Sequence, residues 1–240
     1  MERPRRTHAE ARAQMRAGIL RLGRAQLADV GAAGLSVREI ARGLGVASSA
    51  IYRHVANRDA LLTLLVVDAY TELADAVDAE LDAAGDAGVE GLALIARATR
   101  AWGVAHPESW ALLYGSPVPG YAAPAEETTP AGTRVMMRFV EALAAGDRAV
   151  RHAERPPVSD DFAAVLAQGV AALLGEAGAE LTAEAHDAPG FAADAVEAWS
   201  ALIGLVSAEV FEQLGSVLSA YGSELLERWI TATSARFGLA

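Results

Sequence analysis

Apolar side chains recur at helical spacing along most of the chain, and the elements follow from that pattern. Beginning at Ser36, the residues Val37, Ile40, Ala41 and Leu44 stand at i, i+3, i+4 and i+7, giving one apolar face with Arg38, Glu39 and Arg42 to the sides or outward. Ser36 is a capping residue, and Glu39 three positions on is placed to complete a capping box. Gly43 and Gly45 then interrupt the pattern, and Gly45 is the position where a tight turn requires a positive φ. After Val46 a second short helix turns Ala47, Ala50 and Ile51 inward and leaves Ser48, Ser49, Tyr52, Arg53 and His54 on the surface. A long helix over His8 to Val30, with Met15, Ile19, Leu22 or Gly23, Leu27 and Val30 inward, packs behind this pair to make three helices.

Asn57 caps a further helix, whose stripe Leu61, Leu65, Ala69, Leu73, Ala76 runs toward Leu81. Beyond a break at residues 85–88, Leu92, Ile95, Thr99 and Trp102 mark another helix, stopped at His106-Pro107, and Glu108 to Tyr114 a short one. The segment Ser116 to Pro130 carries four prolines and reads as a loop. Val135, Met136, Phe139, Val140 and Leu143 resume the helical pattern, followed by a polar linker over 146–157 and a helix with Phe162, Val165, Leu166, Val170, Leu173 and Leu174. From Phe191 to Leu218 the stripe Val196, Trp199, Ile203, Val206, Val210, Leu214 is joined by Leu202, Leu205 and Phe211 off it. That helix therefore needs burial on more than one face. Tyr221, Leu225, Trp229, Thr233 and Phe237 form a last stripe. No alternating strand pattern and no fixed-period repeat occur, so the predicted fold is all-α: a three-helix domain over 1–56 and a larger helical domain over 57–240.

Composition sharpens this picture in two places. With 240 residues, 52 % of them hydrophobic, the chain buries a sizeable core, and with no cysteine it has neither disulfides nor thiolate chemistry. The net charge of −11 conceals a division: residues 1–58 hold 11 Arg against four acids, a net of +7, and the remainder nine Arg against 27 acids, a net of −18. A basic N-terminal module on an acidic body is the footprint of a DNA binder whose body stays clear of the DNA. Arg3, Arg5 and Arg6 form a basic arm ahead of the first helix, suited to a minor groove or to phosphates. Its sequence has no continuous apolar run of a secretory signal. The most apolar later segment, Ala198 to Phe211, is shorter than the roughly 20 residues that cross a bilayer and contains Glu209. The expected setting is cytoplasmic, without a membrane partner.

The two short helices around Gly45 read as a helix-turn-helix, and a wider set of residues carries a family resemblance. Gly31, Leu35-Ser36-Val37, Ile40-Ala41, Leu44-Gly45-Val46, Ile51-Tyr52-Arg53-His54 and Asn57-Arg58-Asp59-Ala60-Leu61-Leu62 together resemble the DNA-binding domain of TetR-type regulators, without insertions. Departures are Ala47 where a capping Ser or Thr is common, Val55 for Phe and Arg58 for Lys. Trp199 and Gly204 also resemble a TetR subgroup with Trp, His and Gly in this helix, although Ile203 occupies the His position. The resemblance implies a homodimeric, ligand-responsive repressor of a palindromic double-stranded operator. Its second short helix would enter a major groove with Ser48, Ser49 and Arg53 biasing sequence and Arg38 assisting. Tyr52, His54 and Arg58 would hold the backbone.

Catalytic constellations do not stand out. His8, His54, His106, His152 and His186 are scattered without zinc-motif spacing, no glycine-rich phosphate loop follows a strand, and no nucleophile elbow surrounds Ser116 or Ser200. The acidic run Asp75, Asp78, Glu80, Asp82, Asp86 reads as a solvated face rather than a metal site, and no cofactor is called for. Trp102, Trp110, Tyr114, Met136, Phe139, Trp199 and Ile203 are candidate lining for an effector cavity in the body, the alternative being ordinary core. They point to a small, largely apolar, neutral or cationic effector, with the Ser116 to Pro130 loop as a cover. The competing function is an all-helical small-molecule-binding or interaction protein without operator binding.

Overall fold

The computed structural model describes residues 8–85, 90–147, 150, 156–174 and 189–239, with the side chains of 170–174 and 189 excepted. The basic arm with Arg3, Arg5 and Arg6, Asp86, His152, His186 and the side chains of Val170, Leu173 and Leu174 lie outside the described residues. Within them the chain is all-α, with no strand. Its helices are α1 (His8–Val30), α2 (Val37–Gly43), α3 (Ser48–Ile51), α4 (Arg58–Ala84), α5 (Gly91–Ala105), α6 (Pro107–Tyr114), α7 (Ala125–Gly132), α8 (Arg134–Ala144), α9 (Asp160–Leu174), α10 (Pro189–Val210), α11 (Gly215–Ser219) and α12 (Gly222–Phe237).

Packing divides the chain into two compact units, 1–71 with 108–129, and 72–107 with 130–240. The first unit continues well past residue 56, because Leu61, Leu62 and Leu65 at the start of α4 are fully buried in the same core as Ile19, Ile40, Ile51 and Val55. Burying each such leucine is worth about 1.5–3 kcal/mol, so these turns of α4 belong to the first core. Residues 108–129 join it through Leu112, Val118 and Tyr121, which pack on that cluster, and the Tyr121 hydroxyl is 3.0 Å from Thr63 Oγ1 on α4.

In the second unit α5 and α10 are central, each packing on α8 and α12. The predicted stripe of α5 is buried, as are Val135, Phe139 and Leu143 of α8. Elsewhere the buried faces are rotated from the expected ones. Along α10 the buried positions run from Phe191 to Ala195 and continue with Ala198, Leu202 and Val206, whereas Val196 is exposed and Trp199 and Ile203 half-buried. On α12 the buried stripe is Leu226, Ile230, Thr233, Phe237 rather than one starting at Tyr221, which is exposed. Phe162 and Val165 of α9, and Val30 of α1, are likewise exposed instead of inward.

Three further expectations are corrected. The Ser116 to Pro130 segment is not all loop: α7 begins within it, with Pro124 O accepting from the amides of Glu127 and Thr128 and from Thr128 Oγ1 at 2.9 Å. Its Ala-Glu-Glu start favours helix, and Pro130 falls near the end of α7, where fewer backbone bonds are lost. The long apolar helix ends at Val210, and Glu212 takes a left-handed φ of 51° before α11 starts. At 22 residues α10 also has the length and the apolar composition of a bilayer-spanning helix. Its Asp194 and Glu209, however, are paired with Arg236 and Arg100 inside the unit, as in a core helix.

The acidic face of α4 is only partly solvated. Arg134 bonds Asp78 at 2.7 Å and Asp75 at 3.0 Å, and Arg138 bonds Asp78 at 3.0 Å. Partial burial opposes ionisation of Asp78, but its hydrogen bonds to the two guanidiniums outweigh this and hold the carboxyl below its ordinary range.

Candidate nucleic-acid interface

The helix-turn-helix is built by local bonds that the sequence encodes. Ser36 Oγ accepts from the Glu39 amide at 3.3 Å, capping α2, while the Ser36 amide donates to Gln26 Oε1 of α1 at 2.8 Å. Gln26 thus takes the place that a reciprocal Glu39 contact would fill, and Glu39 pairs with Arg42 instead. Ile40 and Ala41 fill the core beneath, and the chain turns at Gly45, whose φ is 66°. The Val46 amide closes the turn on Ala41 O at 3.1 Å. A side chain in that left-handed conformation costs about 1–2 kcal/mol, so Gly45→Ala is expected to destabilise the protein by that amount in urea denaturation. A cost below about 0.5 kcal/mol would mean that the turn relaxes.

The second helix is a single turn, α3, anchored by Ile51, which is fully buried. Ala47 precedes it without a side-chain cap. The chain continues through tight turns, with the His54 and Val55 amides both donating to Ile51 O. Fixed from below by Ile51 and Val55, this stretch presents Ser48, Ser49, Tyr52, Arg53 and His54 to solvent. Arg38 on α2 is also exposed. Six of the seven sequence-predicted residues therefore lie exposed on α2, α3 and the turn after it.

Arg58 is placed differently. It is half-buried, its Nη2 donates to Ala32 O at 2.9 Å, and its Nη1 lies 3.8 Å from Asp59. The guanidinium ties the start of α4 to the turn after α1, while Asn57 Oδ1 caps α4 by accepting from the Ala60 amide at 2.8 Å. Arg24 on α1 bonds Asp68 on α4, fixing those two helices to each other.

The seven candidate effector residues fall into two groups. In the first unit Trp110 is fully buried against Tyr114, with ring centroids 4.5 Å apart, and Tyr70 meets Tyr114 edge-on. Burial pushes the Tyr114 hydroxyl up, and Tyr70 adds to it, so it stays a neutral hydrogen-bonding group. In the second unit Phe139 is fully buried, edge-on to Trp199 at 5.4 Å and stacked on Trp229 at 6.3 Å. Trp229 was not among the sequence candidates; its position on the apolar stripe of the last helix was the available signal. Trp102 is buried against His106, and Met136 and Ile203 are half-buried. Among the described residues no group of three or more His, Asp or Glu is arranged to hold a metal.

Comparison with known proteins supports both halves of this architecture. Residues 19–65 match the profile of bacterial regulatory proteins of the tetR family, and residues 92–233 match that of the tetracyclin repressor-like C-terminal domain. The HTH-type transcriptional regulators Rv1816 of Mycobacterium tuberculosis and Mb1846 of Mycobacterium bovis are each 44% identical over 216 residues, covering 86% of this chain and 85% of theirs. The crystal structure of protein SCO4313 superposes with a TM-score of 0.68 at 29% identity, covering 95% of this chain and 98% of the other. A Rhodococcus sp. RHA1 protein of unknown function shares the fold, with a TM-score of 0.60 at 22% identity over 98% and 97% of the two chains. The helix-turn-helix, the helical body and the identity sustained across both lead to one conclusion: this chain is a member of the TetR family of DNA-binding transcriptional regulators and is not an enzyme.

Proposed function

We propose that the protein is a homodimeric, ligand-responsive repressor that works in the cytoplasm on a roughly palindromic operator. The observation that carries the DNA-binding part is the exposed, acid-free surface of Ser48, Ser49, Tyr52, Arg53 and His54, held rigid by buried Ile51 and Val55. Ser48, Ser49 and Arg53 read base edges, Tyr52 and His54 hold phosphates, and Arg38 supports them from α2. Arg58 acts by setting the start of α4, through its bond to Ala32 O.

Dimerisation is assigned to α9 and the outer face of α10. Phe162, Val165 and Val196 are 43%, 62% and 42% exposed there, on two helices that pack on each other, which supports this face as an interaction surface. A second copy covers that face by two-fold symmetry, matching a palindromic operator. The effector is assigned to the second unit among Trp102, Met136, Phe139, Trp199 and Ile203, apolar side chains that suit a small apolar molecule. Trp110 and Tyr114 in the first unit are a separate candidate contact. Such a ligand relieves repression only if it binds the DNA-free form more tightly than the bound form.

Selection of bound duplexes by the purified protein tests the reading. Enrichment of a two-half-site sequence is expected, with Arg53→Ala weakening it about 10-fold to 100-fold and relaxing one base position. Tyr52→Ala is expected to weaken all sequences alike. Val165→Asp with Val196→Asp should split the dimer in sedimentation and lower operator affinity. A wild-type protein that enriches no sequence would instead be a ligand-binding or interaction protein.

A further inference from the structure

A cleft of about 310 Å³ opens in the first unit between α1, the turn after α3, and α4, lined by Arg12, Ala13, Arg16, Ile19, Arg53, His54 and Leu64. Arg12 and Arg16, four residues apart and hence on one face of α1, supply one rim; Arg53 and His54 supply the other. Ile19 is almost wholly buried, and Leu64 half-buried, so the apolar part of the lining is fixed by the core while the charged groups reach solvent. Among the described residues no carboxylate lines the cleft. Arg24, further along the same helix, is neutralised by Asp68, but among the described residues Arg12, Arg16 and Arg53 have no ion-pair partner. Three guanidiniums around one opening raise the local positive potential, which favours an anion there. None of the recognition residues inferred from sequence lies on α1, so the cleft extends the DNA surface to a helix not yet assigned to it.

We propose that this cleft seats a phosphate of the operator backbone, so that Arg12 and Arg16 of α1 grip the strand that passes the end of the recognition helix. The proposal rests on the DNA-binding reading and adds two contacts to it. The occupant is a phosphodiester rather than a base, because the arginines come from the helix behind the motif and adjoin the C-terminal end of α3. Arg53 and His54 belong to both surfaces, which makes the cleft continuous with the recognition face. Contacts of this kind set affinity and register without reading sequence.

The experiment is fluorescence-anisotropy titration of the selected operator and of a scrambled duplex across a salt series. It compares wild type, Arg12→Gln, Arg16→Gln and Arg21→Gln. Arg21 is the control: it is exposed on α1 and removes the same charge, but does not line the cleft. Arg12→Gln and Arg16→Gln are each expected to weaken both duplexes by about fivefold or more, and to lower the slope of log K against log salt by about 1. Arg21→Gln should change binding less than about twofold and leave the slope unchanged. Equal losses for Arg21→Gln would assign the effect to general electrostatics and overturn the cleft as a seat, as would a wild-type slope in both cleft variants. Thermal melting with inorganic pyrophosphate separates the other source of phosphate. If the cleft variants lose stabilisation by pyrophosphate yet bind duplex like wild type, the occupant is a free phosphate and the operator contact is wrong. A wild-type protein that enriches no duplex overturns the DNA-binding reading itself, whereas a binding wild type with unaffected cleft variants overturns the cleft alone.

Discussion

Phe139→Ala is expected to lower the unfolding free energy by about 3–5 kcal/mol, enough to threaten the fold at 37 °C. Phe139 has no exposed surface and meets Trp199 edge-on and Trp229 face-on, so truncation removes both the ring's transfer energy and two aromatic contacts. The three rings come from α8, α10 and α12, and collapse around the vacancy would require those helices to move together. A cavity lined by aromatic side chains stays dry and takes up a small apolar molecule. Urea denaturation measures the loss, and benzene or indole should restore part of it in the variant. A loss below about 1 kcal/mol would mean that the space around Phe139 is already open in the native protein. That outcome would make the cluster a preformed pocket wall rather than core.

Arg236→Met is expected to cost about 3 kcal/mol, because it withdraws a charge from a carboxylate that cannot return to water. Asp194 on α10 is 4% exposed, and Arg236 on α12 reaches it through Nε at 3.2 Å and through Nη2, while also bonding the exposed Glu197 at 2.9 Å. The Arg97–Glu227 pair is the internal contrast: both its side chains are about half exposed, so its removal should cost less than about 1 kcal/mol despite distances of 2.6 and 2.7 Å. Burial, not distance, decides which pair matters. Combining Arg236→Met with Asp194→Leu should recover most of the single-variant loss, since the buried carboxylate is then replaced by an apolar side chain along with its guanidinium. Chemical denaturation of the three variants checks this, and equal costs for Arg236→Met and Arg97→Met would show that Asp194 is solvated.

Contiguous chain chemistry made the helix-turn-helix readable. Ser36, Gly45 and Asn57 each act on atoms within a few residues: a hydroxyl on an amide three positions ahead, a left-handed turn, a side-chain oxygen on the first turn of α4. Such effects depend little on the rest of the fold. The same holds for the exposed residues after Ile51, whose direction follows from a one-turn helix with one buried anchor. Arg58 marks the limit, because its partner Ala32 O lies 26 residues away and spacing alone could not turn it inward.

The sequence by itself determined an all-α chain, the helix-turn-helix with its caps and turn, the division of charge and the TetR resemblance, because periodicity, capping and net charge are local or additive quantities. Only the tertiary structure decided which side of each helix is buried. On α10 both the Val196 and the Ala195 stripes are apolar, and the packing of α5, α8 and α12 against this helix buries the second. Tertiary packing also drew the boundary after Thr71, assigned Trp110 and Tyr114 to the first unit, and gathered Arg12, Arg16, Arg53 and His54 around one cleft. Each of these joins residues far apart in the chain, and their proximity depends on the path of the backbone rather than on any pattern within a window of sequence.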